Sequence, residues 1–192
     1  MKTSNNYTDL LGRQSYVSKS GRSWEIYVMN FLNAYFKKKR SSVAVLAGKN
    51  IRKTKLWQSL AIPVRYGKKE YKVEGDVDLV VIDKNRSDKP LAVISCKTSL
   101  HGRFSETLFY SVVWKQQIPR IVVIFATPDK GRQAKKGQWE SEWGTEDKPT
   151  KDRLLAEKYL DGVYIGNVRT YLSGKIKPLK DLPEDLEKLV GR

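Results

Sequence analysis

The chain has 192 residues, of which 30% are charged, 40% apolar and 10% aromatic, the balance of one soluble globular domain rather than of a disordered or fibrous protein. Thirty-seven Lys and Arg against twenty-one Asp and Glu leave a formal charge of +16, a surplus that calls for an anionic partner, nucleic acid first. No apolar run reaches the roughly 20 residues of a bilayer span, and the N-terminus lacks the apolar stretch of a signal peptide, so a cytoplasmic protein without a membrane partner is expected. One cysteine, Cys96, and one histidine, His101, exclude an intramolecular disulfide and a structural zinc site of soft ligands, which leaves oxygen to hold any metal.

In chain order, residues 1–20 are polar without clear periodicity and read as an arm or irregular lead-in. From Arg22 to Phe36, Trp24, Tyr27, Val28, Phe31, Leu32 and Tyr35 recur at helical spacing, and the lysines that follow suit a helix C-terminus. Short β-rich runs at 43–47, 60–66, 71–73, 75–83 and 90–97 predict a meander of strands. A helix is expected over about 104–116. The fully apolar run from Arg120 to Ala126 predicts a central strand. Residues 127–150, rich in Gly, Lys, Pro and Trp, read as a long functional loop or a dimerisation insert, with Trp139 and Trp143 either packing a subunit interface or touching DNA. A short helix near 151–160, a strand at 163–166 and a helix near 183–190 complete a mixed α/β chain without internal repeats.

The charge is uneven. Residues 1–60 carry twelve Lys and Arg against two acids, whereas residues 121–192 carry fourteen against twelve. Within the first third lie Lys37, Lys38, Lys39 and Arg40, then Lys49, Arg52, Lys53 and Lys55 interrupted by Trp57. Such strings suit phosphate contacts, although a basic tetrapeptide alone reads equally as a solvated helix end.

The strands at 76–82 and 91–97 flank KNRSDKP, whose Asn85, Ser87, Asp88 and Pro90 are strong turn residues, and so predict an antiparallel hairpin. A turn centred between Ser87 and Asp88 sets Asp78 opposite Lys97, and strand alternation lets Asp76, Asp78, Ser95 and Lys97 converge. Acids at the end of otherwise apolar strands incur a desolvation cost that pairing or a bound cation relieves. Read alone, this is either a structural Asp–Lys pair or a metal site. Carboxylates with a backbone carbonyl, that of Cys96, suit Mg²⁺ sharing its shell with phosphate oxygens, with Mn²⁺ able to substitute. The Cys96 side chain reads as a small buried hydrophobe.

A helix with Glu25, GDVD at 75–78, VISCKTS at 93–99 and a helix beginning RFSET at 103–107 together resemble the core of the PD-(D/E)xK nuclease superfamily. The SCKTS string followed by an Arg-containing helix is similar to type II restriction endonucleases. The resemblance covers about residues 20–126. It implies a restriction-endonuclease-like α/β (α+β) fold with a central mixed β-sheet of about five strands flanked by helices. It also implies Mg²⁺-dependent cleavage of a specific double-stranded DNA sequence by a homodimer. On this pattern Asp78 matches the metal-binding aspartate, Lys97 the catalytic lysine and Glu25 the acid of the first helix, with Asp76 an extra carboxylate. The chain departs from the pattern at Ser95, where an acid is usual. Glu106 on the following helix is then the replacement, with Glu25 or Asp76 as alternatives. Ser99, His101 and Arg103 join the basic strings as candidate DNA contacts, His101 reading equally as a solvated loop residue. The expected organisation is a single nuclease domain over 1–192: an arm at 1–20, a catalytic core at 21–126, the loop or insert at 127–150 and C-terminal elements at 151–192. A structure-specific nuclease, or a DNA-binding module whose nuclease site has decayed, stays open beside the restriction enzyme.

Overall fold

The computed structural model describes residues 5–100, 103–133, 138–167 and 169–191, of which 5–20 and 132–133 are described by backbone only. Helix α1 (Asn5–Lys38) carries Val28, Leu32 and Phe36 fully buried, one residue per turn on a single stripe. Residues 5–20, expected as an irregular arm, have helical backbone instead. They contain no proline to stop the helix, and their polar composition left no apolar stripe to announce it.

The chain continues through β1 (Val43–Ala47), α2 (Gly48–Ile51), α3 (Lys55–Leu60), β2 (Ile62–Tyr66), β3 (Lys69–Val73), β4 (Leu79–Asp83), β5 (Arg86–Cys96), α4 (Phe104–Gln117) and β6 (Val122–Thr127). There follow β7 (Arg132–Gln133), β8 (Trp139–Glu140), α5 (Lys151–Tyr159), β9 (Gly162–Ile165), β10 (Ile176–Pro178), a 3₁₀ turn (Leu179–Asp181) and α6 (Leu182–Val190). Six strands make the main sheet in the order β1-β4-β5-β6-β9-β10. The pairs β1–β4 and β4–β5 are antiparallel, and the pairs from β5 through β10 are parallel. The strand missing from the expected five is β10, whose three residues are too short to show alternation. The expected meander is also corrected: β1 pairs with β4, while β2 and β3 close on each other as a separate ribbon. Strand β6 is interior and buried at every position, as its apolar run requires.

Alternation along the strands feeds two cores. Leu79, Val81, Ile94 and Ile124 face α1 and α6, whereas Val80, Val93, Val123 and Phe125 face α3, α4 and α5. Trp143 belongs to the second core. It is fully buried, edge-on to Phe104 at 5.4 Å and to Phe125 at 5.9 Å, so it neither packs a subunit interface nor touches DNA. The 127–150 segment is anchored by buried Asp129, whose carboxylate accepts hydrogen bonds from the Ser141 (2.6 Å) and Thr170 hydroxyls and from the amides of Gly131 (3.1 Å) and Glu142 (3.2 Å). This satisfies a buried charge that would otherwise be costly.

The β4–β5 hairpin forms, but its turn falls at Lys84 and Asn85 rather than between Ser87 and Asp88, which lie in β5 with Pro90, and its register differs from the one expected. Leu79 lies opposite Ile94 and Val80 opposite Val93, so the ladder runs toward Ser95, not Lys97, as the neighbour of Asp78. Irregularities after Val81 and Ile82 absorb extra β5 residues around Pro90. The displacement is two residues, an even number, and every side chain keeps its face.

Candidate active site

The 74–78 segment leads into β4 without regular structure and is pinned by its neighbours. The Gly48 amide donates to the Asp78 carbonyl at 2.8 Å, and a Cβ at Gly48 would fall 1.9 Å from the Val77 carbonyl oxygen, so only glycine allows this approach. The indole of Trp57 donates to Glu74 Oε1 at 2.8 Å. Gly75 lies under Trp114 and Tyr110, where a Cβ would come within 2.7 Å of the Trp114 ring.

Asp76, Asp78, Ser95 and Lys97 come together where β4 begins and β5 ends. Lys97 is 5% exposed; its Nζ lies 2.5 Å from Asp76 Oδ2 and 2.9 Å from Asp78 Oδ2. Asp78 Oδ2 also accepts the Cys96 amide at 2.7 Å and the Ser95 hydroxyl at 3.4 Å. The Ser95 hydroxyl is 2.9 Å from that of Thr107 on α4, and Thr107 Oγ1 is 3.4 Å from the Arg103 carbonyl. Burial pushes the Asp78 carboxyl above its ordinary range despite Lys97 and the Cys96 amide. Burial opposes the Lys97 charge as well, but Asp78 and the hydrogen bonds to both aspartates outweigh it and raise the ammonium above the ordinary lysine value. Lys97 is therefore a fixed cation at neutral pH. Burial raises the Cys96 thiol too, and its side chain lies in the core on the α1 side of the sheet.

The Trp24 indole donates to the Ala126 carbonyl at 3.0 Å, which fixes α1 over the C-terminal ends of β5 and β6. Neighbouring Glu25 is half-buried, and its carboxyl is raised by burial and then by the charge of Asp78, so the first-helix acid shares the electrostatic field of the cluster. Glu106 is exposed on α4, and the next residue, Thr107, meets Ser95. Sequence reasoning missed Thr107. Its only signal was a polar residue one step beyond the acid expected to answer the gap at Ser95.

The candidate DNA contacts lie in three places. Lys37, Lys38, Lys39 and Arg40 are exposed at the C-terminal end of α1, about 18 Å along the helix from Glu25. Arg52 and Lys53 are exposed just beyond α2, whose first residue touches Asp78, and Arg52 lies over the Trp57 ring at 6.0 Å. Arg103 is exposed at the start of α4, and the Ser99 hydroxyl donates to Glu142 at 3.2 Å. His101 lies outside the described residues.

A six-stranded mixed sheet with an Asp–Asp–Lys cluster at the β4–β5 end defines a nuclease-like α/β protein, and the comparisons state the class. Residues 49–185 match the family described as BsaWI restriction endonuclease type 2, and the chain belongs to this family. A relative named "Putative type II restriction enzyme MjaVIP", from Methanocaldococcus jannaschii, is 28% identical over 186 residues, covering 88% of this chain and 78% of its own. The fold is similar to that of the specific restriction endonuclease AgeI in a DNA complex, with a TM-score of 0.65, 20% identity, and coverage of 93% of this chain and 69% of that one. It is also similar to the BsaWI endonuclease in a pre-specific DNA complex, with a TM-score of 0.51, 14% identity, and coverage of 100% and 68%. No helix among the described residues is long and apolar enough to cross a membrane.

Type II restriction endonucleases generally use divalent metal ions. Among the described residues no three His, Cys, Asp or Glu side chains form a metal-holding group of their own. The oxygens present still suit a hard cation that keeps most of its waters and takes one or two carboxylates, since Asp76 and Asp78 lie close enough together to reach the same ammonium, that of Lys97. Burial raises the carboxyls of both Asp78 and Glu25, and the charge of Asp78 adds to the rise at Glu25.

Proposed function

We propose that this chain is a single nuclease domain that hydrolyses phosphodiester bonds at a specific double-stranded DNA sequence with Mg²⁺, as a homodimer placing one site on each strand. The observation that carries this reading is the buried Lys97 ammonium held between Asp76 and Asp78 at the end of the central sheet. Membership of a restriction endonuclease family and a fold shared with two endonucleases in DNA complexes support it.

Asp78 and Asp76, with the Cys96 carbonyl, are the residues that would hold the metal. A divalent ion held there would supply Lewis acidity toward a phosphate oxygen and toward water. Lys97, whose ammonium lies between the two aspartates, would offer positive charge to the phosphate as negative charge builds up on it. Ser95 cannot supply charge where an acid is usual, but its hydroxyl steadies Asp78. Glu25, whose carboxyl feels the charge of Asp78, is assigned as the third acid, with Glu106 the competing assignment. Arg52 and Lys53 beside the cluster would hold phosphates close to the scissile bond, and Lys37 to Arg40 phosphates farther along the duplex. Ser99, His101 and Arg103, which lie between Lys97 and α4 in the sequence, are assigned to the bases or phosphates at the cleavage point.

Incubation with plasmid DNA and Mg²⁺ tests the reading. Discrete fragments are expected. Cutting confined to branched substrates would indicate a structure-specific nuclease, and a gel shift without cleavage a binding module.

A further inference from the structure

Among the described residues, no other strand joins the ribbon of β2 and β3. Every residue from Pro63 to Val73 is exposed, and Tyr66 beside the turn is 79% exposed. An isolated two-stranded hairpin is marginally stable in water, so a ribbon left bare on both faces is matched to something outside the chain. The register sets Val64 opposite Tyr71 and Ile62 opposite Val73, with Tyr66 opposite Lys69, so one face is apolar and aromatic. The other face holds Arg65 and Lys72 with Glu70, and the turn adds Lys68. Residues 62–73 thus carry four cations and one acid.

The placement is specific. Val73 is followed by Glu74, which Trp57 holds, and Asp76 comes two residues later. The ribbon springs from the edge of the Asp–Lys cluster, and five-residue strands reach about 17 Å. We infer that the ribbon is an arm that enters a groove of duplex DNA beside the scissile phosphate. This rests on the nuclease reading above. A two-stranded ribbon fits the width of the major groove. Arg65, Lys68, Lys69 and Lys72 meet phosphates at the groove walls, while Tyr66 and Tyr71 lie against base edges. A second copy of the chain is the poorer occupant of this ribbon, because a two-fold contact here would set the same four cations against themselves.

The test uses the full chain with a 30-base-pair duplex of mixed sequence and Ca²⁺ in place of Mg²⁺, so that binding is read without cleavage. In a variant combining Arg65→Ala, Lys68→Ala, Lys69→Ala and Lys72→Ala, the slope of log affinity against log salt falls by about 0.9 for each phosphate that the variant no longer neutralises. In a second variant, Tyr66→p-benzoylphenylalanine, irradiation cross-links the protein to the duplex. An unchanged salt slope, or cross-linking to a second copy instead of DNA, overturns the inference and leaves the nuclease reading standing. A wild-type protein that neither binds the duplex nor cuts plasmid with Mg²⁺ overturns both.

Discussion

The hydroxyl of Thr107 on α4 lies 2.9 Å from that of Ser95 at the end of β5, both groups are buried, and Ser95 in turn approaches Asp78 at 3.4 Å. A neutral hydrogen-bonded pair thus occupies the place where an acid is usual in this kind of site, and ties α4 to the aspartate assigned to the metal. Thr107→Val keeps the shape but leaves the Ser95 hydroxyl short of a buried partner. The expected cost is about 1–3 kcal/mol in urea unfolding, together with a higher Mg²⁺ concentration for half-maximal cleavage. Thr107→Ser restores both. Reduced stability without any change in metal requirement would make Thr107 a packing residue only.

Glu25 and Glu106 compete for the role of third carboxylate, and the structure separates them: Glu25 is half-buried in the field of Asp78, whereas Glu106 is exposed on α4. Glu25→Gln is expected to raise the Mg²⁺ requirement and slow cleavage by roughly tenfold or more, the scale seen when a metal site is deprived of a supporting group. Glu106→Gln is expected to change either by less than about twofold, as for an exposed residue outside the site. Isothermal titration of the metal together with initial rates distinguishes them, and the reverse ranking would return the role to Glu106.

The C-terminal helix is fastened by charge. Asp185 on α6 accepts the Tyr164 hydroxyl at 3.1 Å and the Lys177 ammonium at 2.7 Å. Burial raises the Asp185 carboxyl, but the hydrogen bonds from Lys177 and Tyr164 outweigh it and hold the group below its ordinary value. A carboxyl depressed on folding contributes stability that is present above its unfolded pKa, about 3.9, and is lost as pH falls through the folded value. Asp185→Asn is therefore expected to lower stability at pH 7 by on the order of 1 kcal/mol, since the half-exposed Lys177 is screened by solvent. The difference between variant and wild type should be smaller at pH 3 than at pH 7, because the carboxyl takes up a proton as pH falls. Urea unfolding at both values checks this, and an equal difference at the two would mean the ion pair contributes nothing.

Elements marked by local chemistry were legible in the sequence. A hairpin was legible from the polar, turn-favouring residues after Asp83, although only Asn85 of the four named turn residues lies in the turn and Ser87, Asp88 and Pro90 belong to β5. The apolar run at 121–126 announced a central strand, and the pairing of acids with Lys97 followed from alternation. The exact register was not legible, because the irregularities around Pro90 depend on how β5 meets two neighbours at once. Trp143 was hidden for a related reason: its partners Phe104 and Phe125 are remote in sequence, so a tryptophan in a polar segment carried no local sign of burial. Thr107 escaped because a hydroxyl has no charge signature, and the helical backbone of 5–20 because polar helices lack a stripe.

If Lys97, held between Asp76 and Asp78, acts on the phosphate and does not build the DNA-binding surface, cleavage and binding must separate. Single-turnover cleavage of a plasmid, with duplex binding followed in parallel in Ca²⁺, tests this in Lys97→Ala and Asp78→Asn. Both variants are expected to cleave at least about a thousandfold more slowly, the scale of removing an electrostatic stabiliser, while binding stays within a few-fold of wild type. Retained turnover in either variant would contradict the assignment of the active site.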